Sequence, residues 1–255
     1  MELGLVTYMI AAQWDVPTLL AKCTELGYKG VELRTTHAHG VELALSAQER
    51  REVRARFADS PVTLWGLGTT CCYHAADPDE LPRNIDETGA WVRLAADVGA
   101  AGVKVRPNGL QQDAGIPKEK TLEQIGLAYR ECGKFAQDYG IELWMEVHGR
   151  GTQDPRHIRT IMDVADHPNC CICWNSNPGE PDQTGSIRAS FDLLKPWIRS
   201  CHIHELTDAS YPWRELFALL RESGHTRFTL AEIQDSPDRE RLLRYYRALW
   251  LAMNK

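Results

Sequence analysis

The sequence has little that would send the chain out of a cell, into a bilayer or onto a nucleic acid. No uninterrupted apolar stretch approaches the ~20 residues that a membrane-spanning helix needs. The opening run Leu3-Gly4-Leu5-Val6 has neither the basic flank nor the long apolar core of a secretion signal. The expectation is a cytoplasmic protein with no membrane partner. Positive charge is in deficit: 29 Lys and Arg against 35 Asp and Glu leave −6 at pH 7. A phosphate backbone selects clustered basic residues, so no nucleic-acid partner is expected. Low-complexity segments and linker-like stretches are missing as well, and residues 1–255 read as one domain.

Cysteine is plentiful, with eight residues, but its arrangement lacks the pattern of a disulfide or zinc framework. In a chain of this size without a secretion signal, thiols are expected to stay reduced. The run Cys170-Cys171-Ile172-Cys173 does not have the spacing of structural zinc pairs. It reads as small hydrophobes packed in a strand.

What is present is a period. Gly27, Gly99, Gly140 and Gly224 each close a helical stretch just before an apolar run, as glycine does when the chain must turn left-handed past a helix end. Asp15 ahead of Pro17, Asp154-Pro155 and Ser236-Pro237 mark helix starts, pairing a capping oxygen with proline in the first turn. Strand-like runs fall near 3–8, 30–33, 62–67, 102–106, 141–146, 170–174, 198–204 and 228–232, with helical patterns between them such as 121–139 and 237–252. Eight units of roughly 32 residues are the repeat of a (β/α)₈ TIM barrel, an α/β fold of this overall length. No Gly-rich phosphate turn follows the first strand, which favours closure over a doubly wound sheet.

A barrel of this kind carries its chemistry at the C-terminal ends of its strands. Four such ends supply Glu146, Asn175, His204 and Glu232, spaced by 29, 29 and 28 residues. Each interval is one strand–helix unit, so the four side chains are expected at one rim and at similar depth. Carboxylate, amide, imidazole and carboxylate together suit a divalent cation such as Mn²⁺, Mg²⁺, Co²⁺ or Zn²⁺.

The phrases Gly30-Val31-Glu32-Leu33-Arg34, Glu146-Val147-His148-Gly149, His202-Ile203-His204 and Ala231-Glu232 resemble the xylose isomerase-like TIM-barrel superfamily. That group includes sugar isomerases, ketose 3-epimerases, hydroxypyruvate isomerase, inosose dehydratase and endonuclease IV. The resemblance implies Glu146, His204 and Glu232 as metal ligands, with the two glutamates also moving the proton. It departs at the sixth strand, where relatives show Asp, often with a His shortly after; here Trp174-Asn175-Ser176-Asn177-Pro178 offers an uncharged donor.

The chemistry implied is proton abstraction beside a carbonyl through an enediolate, in a metal-dependent sugar isomerase or epimerase. The alternative on the same site is a lyase or dehydratase of a keto-sugar or keto-inositol, with His148, His202 or His74 as the acid at the leaving group. Less favoured are an endonuclease IV-like hydrolase and a non-catalytic sugar-binding protein. Lys104 and Arg106 alternate on one strand and so share a face, which suggests contact with an anionic or polyhydroxylated ligand; Glu32, His74, His148 and His202 join them as candidate pocket residues. Trp14 and Trp174 are candidate stacking faces for a sugar, and residues 107–117 a candidate lid. The expected partner is a sugar or keto-polyol, unphosphorylated for want of a phosphate-binding loop, and a homo-oligomer is an open possibility.

Overall fold

The interior of the barrel is filled unevenly, with bulk from one side and glycine from the other. In the computed structural model, which describes all residues from Met1 to Lys255, the strands are β1 (Glu2–Val6), β2 (Gly30–Arg34), β3 (Thr63–Cys72), β4 (Gly102–Arg106), β5 (Glu142–Glu146), β6 (Cys170–Trp174), β7 (Ile198–Ile203) and β8 (Phe228–Ala231). All pair in parallel and in chain order, and β8 closes onto β1. Trp65 and Trp144 stack at 4.9 Å near the floor, packed with Phe228 and Leu230. A methyl group at Gly102 would come within 2.4 Å of the Trp144 ring, and one at Gly30 within 2.6 Å of Phe228. The glycines of β2 and β4 therefore make room for rings that cross the barrel from β5 and β8.

The outer layer is α1 (Val16–Leu26), α2 (Ala47–Ala58), α3 (Glu80–Val98), α4 (Lys118–Asp138), α5 (Pro155–Ala165), α6 (Arg188–Leu194), α7 (Trp213–Glu222) and α8 (Arg239–Met253). The expected stops hold: Gly27, Gly99, Gly140 and Gly224 all have positive φ. Two of the three expected starts hold, since Asp15 accepts from Thr18 N and Asp154 from Arg156 N, both at 2.9 Å. The third lies later than Ser236-Pro237. Asp238 caps α8 by accepting from Arg241 N, while Ser236 Oγ accepts from Asp238 N in the preceding turn. The strand over 62–67 also extends further, to Cys72, past an irregularity in its pairing with β4 between Gly68 and Cys72.

Both tryptophans named as candidate stacking faces are core residues. Trp14 is buried; Trp174 packs on Phe191 and donates to the Tyr211 hydroxyl. The eight cysteines are free and buried. Burial pushes the thiols of Cys170 and Cys171 up, to about 12 for Cys171, so they behave as small apolar groups. Residues 107–117 are tied to the loop after β5, where Gly109 bridges to Arg150, and Leu110 packs against the core. No helix is long and apolar enough to cross a membrane.

Candidate active site

Inward-facing positions alternate along each strand, so the residues at the barrel mouth fall into two layers. The lower layer holds Glu32 on β2, Lys104 on β4, Glu146 on β5, Cys173 on β6 and His202 on β7. Glu146 is directly opposite Cys173, and His202 opposite Leu230. Two residues further along the same strands stand Arg34, Arg106, His148, Asn175 and His204, with Glu232 after β8.

The four expected site residues differ in exposure: Glu146 and Asn175 are buried, while His204 is half-buried. Glu146 pairs with Cys173 across β5 and β6, and Asn175 follows the pairing of Trp174 with Cys201 across β6 and β7. The imidazole that meets Glu146 is that of His202, which the sequence placed among substrate contacts. Its Nδ1 lies 3.6 Å from Glu146 Oε1 and 3.4 Å from Glu232 Oε2. The three side chains offer ligand atoms within 4.8 Å of one another. His204 stands nearer the mouth, its side chain 35% exposed and its Nε2 3.4 Å from Glu232 Oε2.

The lower layer is electrostatically dense. Lys104 Nζ donates to Glu146 Oε2 at 2.6 Å with both side chains buried. His202 Nε2 donates to Glu32 Oε2 at 3.1 Å. Glu32 fits because β3 has glycine at position 68, where a methyl would come within 2.8 Å of Glu32 Oε1. Burial alone would raise the Glu146 carboxyl, but Lys104 and His202 overcome it and hold it below its usual range. Glu232 is likewise pushed up by burial and held well below by the imidazoles of His202 and His204 and by Lys104. For His202, burial works against the charge, while the Cys173 sulfur and the carboxylates of Glu32 and Glu232 keep its pKa well above the usual value. Both Glu146 and Glu232 are therefore ionised at neutral pH.

Loop geometry holds the remaining groups. Ser176, with φ 52°, turns the chain sharply after Asn175, and its hydroxyl donates to His202 O at 2.9 Å. Asn175 Nδ2 donates to Asn177 Oδ1, which leaves Asn175 Oδ1 buried and without a hydrogen-bond partner. Gly149 after β5 has φ 96°, and a methyl there would strike the Asn108 backbone at 2.5 Å, so the glycine lets the two loops meet and sets His148 at the mouth.

Of the expected pocket residues, Glu32, Lys104 and His202 are buried in the charged lower layer, with Lys104 committed to Glu146. Arg106, His74 and His148 are half-buried around the mouth. Two features were missed. One is Arg34, two residues beyond Glu32; the alternation that singled out Lys104 and Arg106 would also have found it. The other is Glu180, buried beyond β6 with its carboxylate accepting from Tyr211 Oη (2.5 Å) and Asn177 Nδ2 (3.2 Å). Burial pushes it up to about 7 against those hydrogen bonds. No local pattern marks a lone Glu in a loop.

The whole molecule is similar to solved sugar-modifying enzymes. D-psicose 3-epimerase from Clostridium cellulolyticum H10 superposes with TM-score 0.83 at 13% identity, covering 100% of each chain. The 3-keto-D-glucoside 4-epimerase of E. coli gives 0.81 at 13%, covering 99% of each. The probable 3-DHS dehydratase of Bacillus anthracis gives 0.73 at 14%, covering 98% of this chain and 99% of the other. A sequence comparison with curated proteins gives no match. The family pattern described as xylose isomerase-like TIM barrel matches residues 20–251, nearly the full run from α1 to α8, and the chain belongs to that family.

Proposed function

We propose that this protein is a metal-dependent isomerase or epimerase of a keto-sugar, acting by proton transfer at the carbon beside the carbonyl. The observation that carries the reading is the convergence of Glu146 and Glu232, both ionised, on the single ring nitrogen His202 Nδ1. The epimerases it resembles act on sugars, psicose and 3-keto-glucoside among them.

The donor set fits a divalent ion. Glu32, Glu146 and Glu232 face Lys104 and His202, so three carboxylates meet two basic groups, and negative charge is left for a cation to balance. Asn175 Oδ1 and His202 Nδ1 are buried without hydrogen-bond partners, and such atoms are costly unless a ligand takes them up. Glu146, Glu232 and Asn175 would hold the ion, with His204 from the open side and His202 from below. When bound, it would supply Lewis-acid stabilisation of the enediolate oxygens.

The protein's own groups divide the remaining work. Lys104 fixes the Glu146 carboxylate through Oε2 and leaves Oε1 to face the site. Glu232, the more accessible of the two, takes the proton from the substrate carbon and Glu146 serves the opposite transfer, or the reverse for the other epimer. Carboxylates held this low are weak bases, so proton transfer depends on an acidified C–H. A lyase on the same residues is the second reading. It is favoured by His148, half-buried at the mouth with Nδ1 unpartnered and therefore free to hydrogen-bond a leaving hydroxyl.

Incubation of Mn²⁺-loaded enzyme with a panel of ketoses in D₂O tests the proposal. Deuterium should appear beside the carbonyl, and Glu146→Gln and Glu232→Gln should each slow its appearance by about 10²–10⁴. Exchange that persists at the wild-type rate in both variants would remove these residues from proton transfer. Release of water from the substrate would select the lyase.

A further inference from the structure

The upper layer of the mouth is basic in an otherwise acidic protein. Arg34, Arg106, His148 and His204 occupy four of its inward positions, and only His204 has a carboxylate partner. Neither Arg34 nor Arg106 forms a salt bridge. Arg34 Nη1 donates only to the neighbouring Thr35 carbonyl at 2.9 Å. Arg106 Nη2 reaches the Thr70 carbonyl at 3.5 Å, and its Nε is buried with no partner. Burial and then the charge of Arg106 lower the Arg34 pKa, against Tyr8, Glu146 and Glu32, which raise it. His74 and His148 complete the same side, each with Nδ1 buried and unpartnered. Guanidinium groups without a salt-bridge partner are a poor arrangement for an empty protein and a good one for an oxyanion.

We infer that the substrate carries an oxyanion, a carboxylate or a phosphate ester, held at the mouth by Arg34 and Arg106 at the end of the molecule remote from Glu146 and Glu232. This rests on the keto-sugar reading above and narrows its substrate to an acidic sugar derivative. It also revises which cations serve: Lys104 belongs to Glu146, and Arg34 takes the place beside Arg106 that the sequence assigned to it.

The test is calorimetric titration of the Mn²⁺-loaded enzyme with D-fructose, with D-fructuronate and with D-fructose 6-phosphate. At least one of the two acids should bind about tenfold or more tighter than D-fructose, the range expected for charge-assisted hydrogen bonds. Which acid gains identifies the source of the oxyanion. Arg34→Met with Arg106→Met should abolish the gain, and the paired Lys substitutions should keep part of it, because charge survives while the fork is lost. Equal binding of all three compounds, no binding of either acid, or a gain unchanged by the double Met variant would each overturn the inference. Deuterium exchange on the same samples separates it from the reading beneath it. Tight acid binding without exchange retains the anion site and sinks the isomerase; exchange on D-fructose without acid preference does the opposite.

Discussion

Lys104 Nζ on β4 donates to Glu146 Oε2 on the neighbouring β5 at 2.6 Å, with neither side chain open to solvent. Breaking a buried pair from one side leaves an uncompensated charge, at a cost of about 3–5 kcal/mol. Lys104→Met should therefore lower unfolding stability by that order when divalent ions are chelated, with Glu32, Glu146 and Glu232 left facing one another. Adding Mn²⁺ should restore more stability to the variant than to the parent, since an ion that binds only the folded state stabilises it by mass action. Urea unfolding with EDTA and with Mn²⁺ reads both effects. Unchanged stability in EDTA would show that the pair is not formed in solution.

The two histidines of β7 and its end should separate by what they lose. His202 is fully buried between Glu32, Glu146 and Glu232, and His202→Ala should cost about 2–5 kcal/mol of stability. His204 is 35% exposed on its side-chain surface and touches Glu232 from the open side. His204→Ala should leave stability within about 1 kcal/mol of the parent but weaken Mn²⁺ binding by about tenfold or more. Mn²⁺ affinity unaffected by the His204 change would leave His202 as the sole imidazole ligand.

Asn175 offers an oxygen without charge, buried and without a hydrogen-bond partner. Asn175→Asp adds a negative donor beside Glu146 and Glu232, and ligand charge is a main control of affinity for hard divalent ions. Mn²⁺ should bind about tenfold or more tightly by calorimetry, and turnover is expected to fall as the cation becomes less electrophilic. Identical affinities would put Asn175 outside the ion's coordination shell.

Glu180 carries a pH dependence away from the barrel mouth. Its folded pKa, pushed up to about 7 by burial, stands above the unfolded value near 4.5, so the folded state holds a proton that the unfolded state releases between those values. Stability is then fully present below about pH 4.5 and falls as pH rises towards 7, by about 3 kcal/mol at most. Glu180→Gln keeps the shape and removes the titration, so its denaturation midpoint should drop less over this interval than that of the parent. Parallel pH profiles for the two proteins would count against the assignment.

Much of the fold is decided by local chemistry. Helix stops at Gly27, Gly99, Gly140 and Gly224, and caps at Asp15 and Asp154, depend on residues within one turn of one another, which is why their positions are legible without coordinates. The same holds for the strand ends that carry Glu146, Asn175, His204 and Glu232, since the unit repeat alone brings them to one rim. Tertiary structure decided what these side chains face. Strand register and packing together set His202 beside Glu146 and Glu232 and leave His204 half-buried at the mouth. Register also gives Lys104 to Glu146, across neighbouring strands that are 42 residues apart in sequence, and frees Arg34 to stand with Arg106. A sequence interval counts residues along the chain, whereas depth in a barrel depends on how each strand is staggered against the next. That stagger is fixed by packing: Trp144 against Gly102, Phe228 against Gly30 and Glu32 over Gly68 are contacts between residues far apart in the chain, and no local pattern encodes them.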